Sequence, residues 1–143
     1  MPMKSDETKR AVQSVRRCLG TDSPLADKLP GFAPRPGQQE MAAAVCRALC
    51  KETPLLVEAG TGTGKTLSLI LPAVLLGLKT VISTGTKTLQ DQVSLKELVL
   101  LKEVLRPDLR WAVLKGRANY LCLRRYLDFS SQPDLGLRGA RRG

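Results

Sequence analysis

The segment Glu58-Ala59-Gly60-Thr61-Gly62-Thr63-Gly64-Lys65-Thr66 constrains this chain more than any other. Three glycines at alternate positions, followed by Lys-Thr, fit a tight loop whose backbone N–H groups turn inward as an anion nest. Ala59 stands where the Walker A pattern has its first glycine. The flanks agree with the motif. Pro54 opens an apolar run, Leu55-Leu56-Val57, that reads as a buried strand. A helix is predicted from Lys65 to about Leu76, kinked or ended early by Pro72. The positive end of that helix faces the nest. The Lys65 ammonium can then reach the β- and γ-phosphates of a nucleoside triphosphate, and the Thr66 hydroxyl can bind Mg²⁺. The candidates for binding the nucleotide are Ala59, Gly60, Thr61, Gly62, Thr63, Gly64, Lys65 and Thr66, with Lys65 and Thr66 as the catalytic pair. A chance Gly/Thr-rich turn is the other reading. The coincidence of motif and flanks favours ATP or another nucleoside triphosphate with Mg²⁺.

Around the loop, hydrophobic periodicity predicts alternating elements. Ala11, Val12, Val15 and Leu19 share one face of a helix over 6–19. A loop rich in Pro and Gly follows, then a helix over 37–51 carrying Met41, Ala42, Val45 and Leu49 at spacings of three and four. Residues 80–83 and 111–114 read as two further buried strands. A helix is expected from about Lys87 to Val104, broken once, and a last helix over 117–127. The tail from Ser130 is Gly/Arg-rich and is expected to be poorly ordered. Strands alternating with helices predict an α/β fold with a parallel sheet.

Composition narrows the chemistry. At 143 residues with 43% apolar content, one domain with a core is the natural expectation. The absence of histidine excludes a His general base and a His-ligated metal. Four cysteines are too few for a secreted disulfide scaffold, so reduced thiols in a soluble cytoplasmic protein are expected. Residues 1–10 are charged and lack the apolar stretch of a signal peptide. The apolar run 67–78 is too short to span a membrane. The net charge of +10 points to a polyanionic partner. The residues from Arg106 onward carry nine Lys/Arg against three Asp, over half of that surplus. Such a patch suits a phosphate backbone, and it equally suits a solvated helix face with a basic tail.

Four segments in order resemble a known family. Phe32-Ala33-Pro34-Arg35-Pro36-Gly37-Gln38-Gln39-Glu40-Met41 is similar to the Q-motif region of superfamily 2 helicases of the XPD/DinG type. Residues 58–66 resemble the family's motif I, and residues 81–92 its motif Ia. Residues 114–123, with Lys115-Gly116-Arg117, Asn119-Tyr120 and Cys122, resemble the entry into an iron–sulfur domain. The likeness covers about residues 32–127 and is greatest to the DinG/YoaA-like branch. It implies a truncated, partial P-loop NTPase (RecA-like) first helicase lobe with parallel strands. The implied layout is a helical lead-in over 1–30, the first part of the ATP-binding domain over 31–115, and the truncated start of an iron–sulfur domain with a basic tail over 116–143. The implied activity is ATP-dependent 5′→3′ translocation on single-stranded or forked DNA, in DNA repair.

The resemblance also assigns roles. Gln38 would select adenine, with Arg35 nearby; an amide suits an adenine edge, although an exposed polar residue at a helix start is the plain alternative. Ser83, Thr84 and Thr86 would grip the DNA backbone, while N-cap and loop chemistry explains the same residues without DNA. Lys115 and Arg117 would add cationic contacts and Tyr120 a stacking face. Cys122 would be the first of four [4Fe–4S] ligands in the full-length family, but no cysteine follows it. Cys46 and Cys50, four apart, read as a buried helix face, and Cys18 as structural. Another P-loop NTPase, or a non-catalytic nucleotide or nucleic-acid binding module, remains the alternative. No Asp-Glu pair occurs after Thr66, and an acid of that kind orders Mg²⁺ and the attacking water in hydrolysing P-loop enzymes. The 143-residue chain is therefore expected to show no DNA-stimulated ATPase activity. Phosphate release above background on adding single-stranded DNA would contradict this.

Overall fold

The computed structural model describes residues 2–60 and 62–131. Thr61 and the basic residues Arg138, Arg141 and Arg142 lie outside the described residues. In chain order the helices are α1 (Ser5–Cys18), α2 (Pro36–Lys51), α3 (Lys65–Leu75), α4 (Lys87–Gln92), α5 (Leu98–Val104) and α6 (Leu123–Ser130). A π-helical turn, Val93–Glu97, joins α4 to α5, and a 3₁₀ turn, Arg117–Asn119, precedes α6. The chain divides into two compact units, Met1–Trp111 and Ala112–Gly143.

In the first unit α2 packs against both α1 and α3. The predicted faces are the buried ones. Val15 and Leu19 from α1, Ala42, Cys46 and Cys50 from α2, and Leu67, Ile70, Leu71 and Val74 from α3 share one core with Val93, Leu98 and Leu101. The α2 contribution is a row of small side chains four apart, which lets a helix approach its neighbours closely. Loop 20–35 is pinned to this core. Leu25 is buried, its N–H donates to Ser23 Oγ at 3.0 Å, and Ser23 Oγ donates to the Cys18 carbonyl. Gln39 Nε2 donates to the Leu19 carbonyl at 2.8 Å and so satisfies the end of α1. Met3 N–H reaches the Cys50 carbonyl at 2.9 Å, which ties the start of the chain to the end of α2. Glu40 on α2 pairs with Arg16 at 2.5 Å and with Arg47 at 3.1 Å, in the open. Exposed pairs of that kind contribute ~0–1 kcal/mol each.

Pro72 sits inside α3 and does not end it. The helix stops three residues later, where Gly77 at φ 66° turns the chain. Arg106 completes that corner. Its Nη1 donates to the Val74 carbonyl at 3.2 Å, while Nε and Nη2 hold Asp108 in a two-bond fork at 3.0 Å each. This pairing holds the Asp108 carboxyl below its usual range, through the hydrogen bond from Arg106 first. The expected break in the helix from Lys87 is the π-helical turn. Thr86 caps α4, accepting from Leu89 N–H at 3.2 Å.

The expected α/β fold is not what the chain adopts: among the described residues there are helices and turns but no strand. The runs 55–57, 80–83 and 111–114 lie outside regular structure. Leu56, Val81 and Leu114 are 98%, 95% and 85% exposed. A strand exists only through the ladder it shares with a neighbour, so a short apolar run is not sufficient to define one. The parallel RecA-like sheet expected from the resemblance is therefore absent from the described residues.

The second unit differs from expectation in a smaller way. The helix expected over 117–127 is a single 3₁₀ turn, an extended break at Tyr120 and Cys122, and then α6. Asn119 Nδ2 donates to the Gly116 carbonyl at 3.0 Å, the kind of local side-chain bond that competes with helix propagation. No residue of α6 is buried. No helix among the described residues is long and apolar enough to cross a membrane.

Two outcomes follow from this packing. Leu71 is fully buried on α3, so Leu71→Ala should cost about 2–5 kcal/mol, read as a lower urea midpoint. The thiols should separate by rate. Cys122 is exposed, whereas Cys46 is pushed up to about 12 by burial and by its neighbour Cys50, and burial raises Cys18 as well. A disulfide reagent at neutral pH should modify Cys122 first and reach Cys46 and Cys50 only on unfolding.

Candidate functional site

The Gly-rich loop ends in a sharp turn onto α3. Gly62 has φ 76° and Gly64, the N-cap residue of α3, has φ 79°. Both values lie where only glycine is comfortable. The first intrahelical bond of α3 runs from Ser68 N–H to the Gly64 carbonyl at 3.1 Å. The N–H groups of Lys65, Thr66 and Leu67 thus have no partner within the helix, as at any helix start.

The side chains of the loop turn in on its own backbone. Lys65 Nζ donates to the carbonyls of Ala59 at 2.7 Å and Gly60 at 2.9 Å. Thr63 Oγ1 donates to the Gly60 carbonyl at 2.9 Å. The ammonium therefore lies across the mouth of the loop, held by neutral acceptors. An anion there would replace two carbonyl dipoles by full negative charges and so add an ion–ion attraction to bonds that the ammonium already makes charge-assisted. Thr66 lies half-buried in the first turn of α3.

The first turn of α2 closes the other side of the loop. Arg35 Nη1 donates to the Gly62 carbonyl. Gln38 is 7% exposed, and its Nε2 lies 3.4 Å from the Gly64 carbonyl. A Cβ on Gly64 would come within 2.2 Å of that same nitrogen. Ser68 Oγ lies 3.2 Å from the Gln38 carbonyl and 3.1 Å from the Gly64 carbonyl, and its single proton can serve one of them at a time. Ser68 is fully buried. Sequence reasoning passed over it, although a lone hydroxyl inside the apolar run 67–76 was a visible signal. The structure thus brings Arg35, Gln38, Ala59, Gly60, Gly62, Thr63, Gly64 and Lys65 together around one loop. Gln38 is not the exposed helix-start residue of the plain alternative.

The other candidates stand elsewhere. In the first unit Ser83 is exposed, Thr84 Oγ1 donates to the Thr86 carbonyl at 3.2 Å, and the Thr86 hydroxyl serves as the cap of α4. In the second unit Tyr120 OH accepts from Lys115 N–H at 2.9 Å, and Arg117 is exposed in the 3₁₀ turn. Cys122 is the N-cap residue of α6 and the second unit's sole cysteine. Among the described residues no group of three or more His, Cys, Asp or Glu is placed to hold a metal. The cysteines present do not fit a four-thiolate cluster: Cys18, Cys46 and Cys50 belong to the helices of the first unit.

Sequence comparison places the chain among known proteins. It is 48% identical over 122 residues to the ATP-dependent DNA helicase YoaA of Haemophilus influenzae, covering 85% of this chain and 19% of that protein. It is 50% identical over 104 residues to YoaA of Escherichia coli, covering 73% of the chain and 16% of that relative. Against the ATP-dependent DNA helicase DinG of Salmonella typhimurium it is 42% identical over 106 residues, covering 70% and 15%. No protein-family profile and no solved structure matches the chain. The chain is a homologue of part of the YoaA/DinG ATP-dependent DNA helicases, spanning less than a fifth of the length of these curated relatives.

Proposed function

We propose that this chain carries the nucleotide-phosphate site of a DNA helicase of the YoaA/DinG type. The observation that supports it most is the position of Lys65. Its ammonium sits on the Ala59 and Gly60 carbonyls at the mouth of a loop whose two positive-φ glycines lead straight into α3. Phosphate oxygens are stronger acceptors than peptide carbonyls, so the triphosphate of ATP would draw the ammonium off its two carbonyls. The N–H groups at the start of α3, which have no partner within the helix, would then face the same charge. Thr66 would hold Mg²⁺ through its hydroxyl, and the ion would supply charge neutralisation between the β- and γ-phosphates.

In the whole protein, ATP hydrolysis would drive 5′→3′ movement along single-stranded or forked DNA. The relatives' names, both ATP-dependent DNA helicases, support an ATP-driven action on DNA. Ser83, Thr84 and Thr86 in the first unit, and Lys115, Arg117 and Tyr120 in the second, are the proposed DNA contacts. Hydroxyls and cations of this kind hold a phosphate backbone without reading its sequence. Tyr120 offers an exposed ring for stacking, its OH already bonded to Lys115 N–H.

Lys65→Ala tests the phosphate site. It removes two charge-assisted bonds to phosphate, each worth roughly 1.5–3 kcal/mol. In a labelled-ATP titration of the 143-residue chain the affinity should fall by about a hundredfold or more. Unchanged affinity would sink the assignment.

A further inference from the structure

We infer that the groove beside Trp111 in the first unit is a further contact for single-stranded DNA, which takes an unstacked base against the indole and the neighbouring phosphates on Lys79 and Arg110. The inference goes beyond the contacts proposed above and rests on the same reading that the chain acts on DNA.

The groove arises where α3 ends. Gly77 turns the chain at φ 66°, and residues 78–82 and 106–111 continue outside regular structure. They flank an opening of about 460 Å³ whose lining lies wholly within the first unit and includes no residue of the Gly-rich loop. Ile70 and Ala73 of α3 and Leu98 of α5 give it a buried apolar wall. At its edge stands Trp111, the only tryptophan of the chain, 37% exposed. Lys102 Nζ lies 5.8 Å from the centre of its ring, a cation–π contact that helps to hold the indole and adds a positive charge beside it.

The charged residues of the lining are Lys79, Arg106 and Arg110 against Asp108 alone. Arg106 answers the Asp108 carboxylate with its two-bond fork, so the surplus rests on Lys79 and Arg110, both exposed. An apolar wall, an open aromatic ring and a cationic rim together match a ligand that alternates planar rings with phosphates. An acidic peptide would satisfy the rim and leave the indole unused. Duplex DNA would satisfy the rim as well, but its bases are paired and stacked and present no free face. An unstacked base does, and stacking of this kind accepts any of the four bases.

The sole tryptophan makes the groove its own reporter. An oligothymidylate of about 15 nucleotides, added to the 143-residue chain at about 50 mM salt, should quench the Trp111 emission. An abasic strand of the same length keeps the phosphates and lacks the rings; it should bind more weakly and leave the emission unchanged. Lys79→Ala and Arg110→Ala, both at exposed positions, should each weaken oligothymidylate binding about tenfold and lower the slope of log affinity against log salt by about one. Binding seen by anisotropy of a labelled strand, with the emission unchanged, would overturn the inference and leave the DNA reading standing. Equal quenching by the abasic strand would overturn it in favour of a surface that holds charge alone, and equal quenching by a duplex would overturn the preference for single strands. Unchanged affinity in both variants would overturn it too. An unmutated chain that binds no strand at all would defeat the DNA contacts proposed above and the inference with them.

Discussion

Burial of α2 against α1 and α3 sets the distances on which everything at the loop depends. The small side chains Ala42, Cys46 and Cys50 let the helix seat closely in the core. Its first turn is thereby fixed beside the start of α3. Arg35, Gln38 and Ser68 meet the loop because of that packing and not through any local preference of their own. Residues 26 to 30 apart in sequence are joined by hydrogen bonds at this one place. Non-local bonds of this kind are cheap to keep only when the helices that carry them are already held.

The same dependence explains what the sequence could and could not tell. Helices α1, α2 and α3 were legible almost to the residue, because each has a buried face at helical spacing and its own punctuation. The bounds of the loop were legible from glycine spacing alone. The sheet was not. Residues 55–57 and 80–83 have strand-like composition, but composition cannot supply a neighbour, and the described residues form no ladder. The burial of Gln38 was equally hidden. An amide at a helix start looks the same whether it faces solvent or a glycine 26 residues on. Nor could periodicity separate the 3₁₀ turn at Arg117–Asn119 from α6, since the extended residues between them, Tyr120 and Cys122, leave no mark in the hydrophobic pattern.

Charge needs a similar correction. The surplus of basic residues pointed outward, to a polyanion. Several of those residues already have work inside the fold. Arg106 closes the corner after α3 and holds Asp108, Arg16 and Arg47 share Glu40, and Lys102 lies 5.8 Å from the centre of the Trp111 ring. Lys65 is engaged by backbone. A net charge counts ions and says nothing about which of them can be spared for a partner.

The π-helical turn between α4 and α5 has a consequence of another kind. Val93 and Leu98, five positions apart, are both buried, while Leu95 between them is exposed. A regular α-helix advances about 100° per residue, so five positions overshoot a full turn and the wider turn absorbs the excess. The helix therefore tolerates one surplus residue here without turning Leu98 and Leu101 out of the core. Deleting a single residue within Val93–Glu97 would remove that surplus: the rod would tighten to a plain α-helix, with Val93 and Leu98 four positions apart and still on one face.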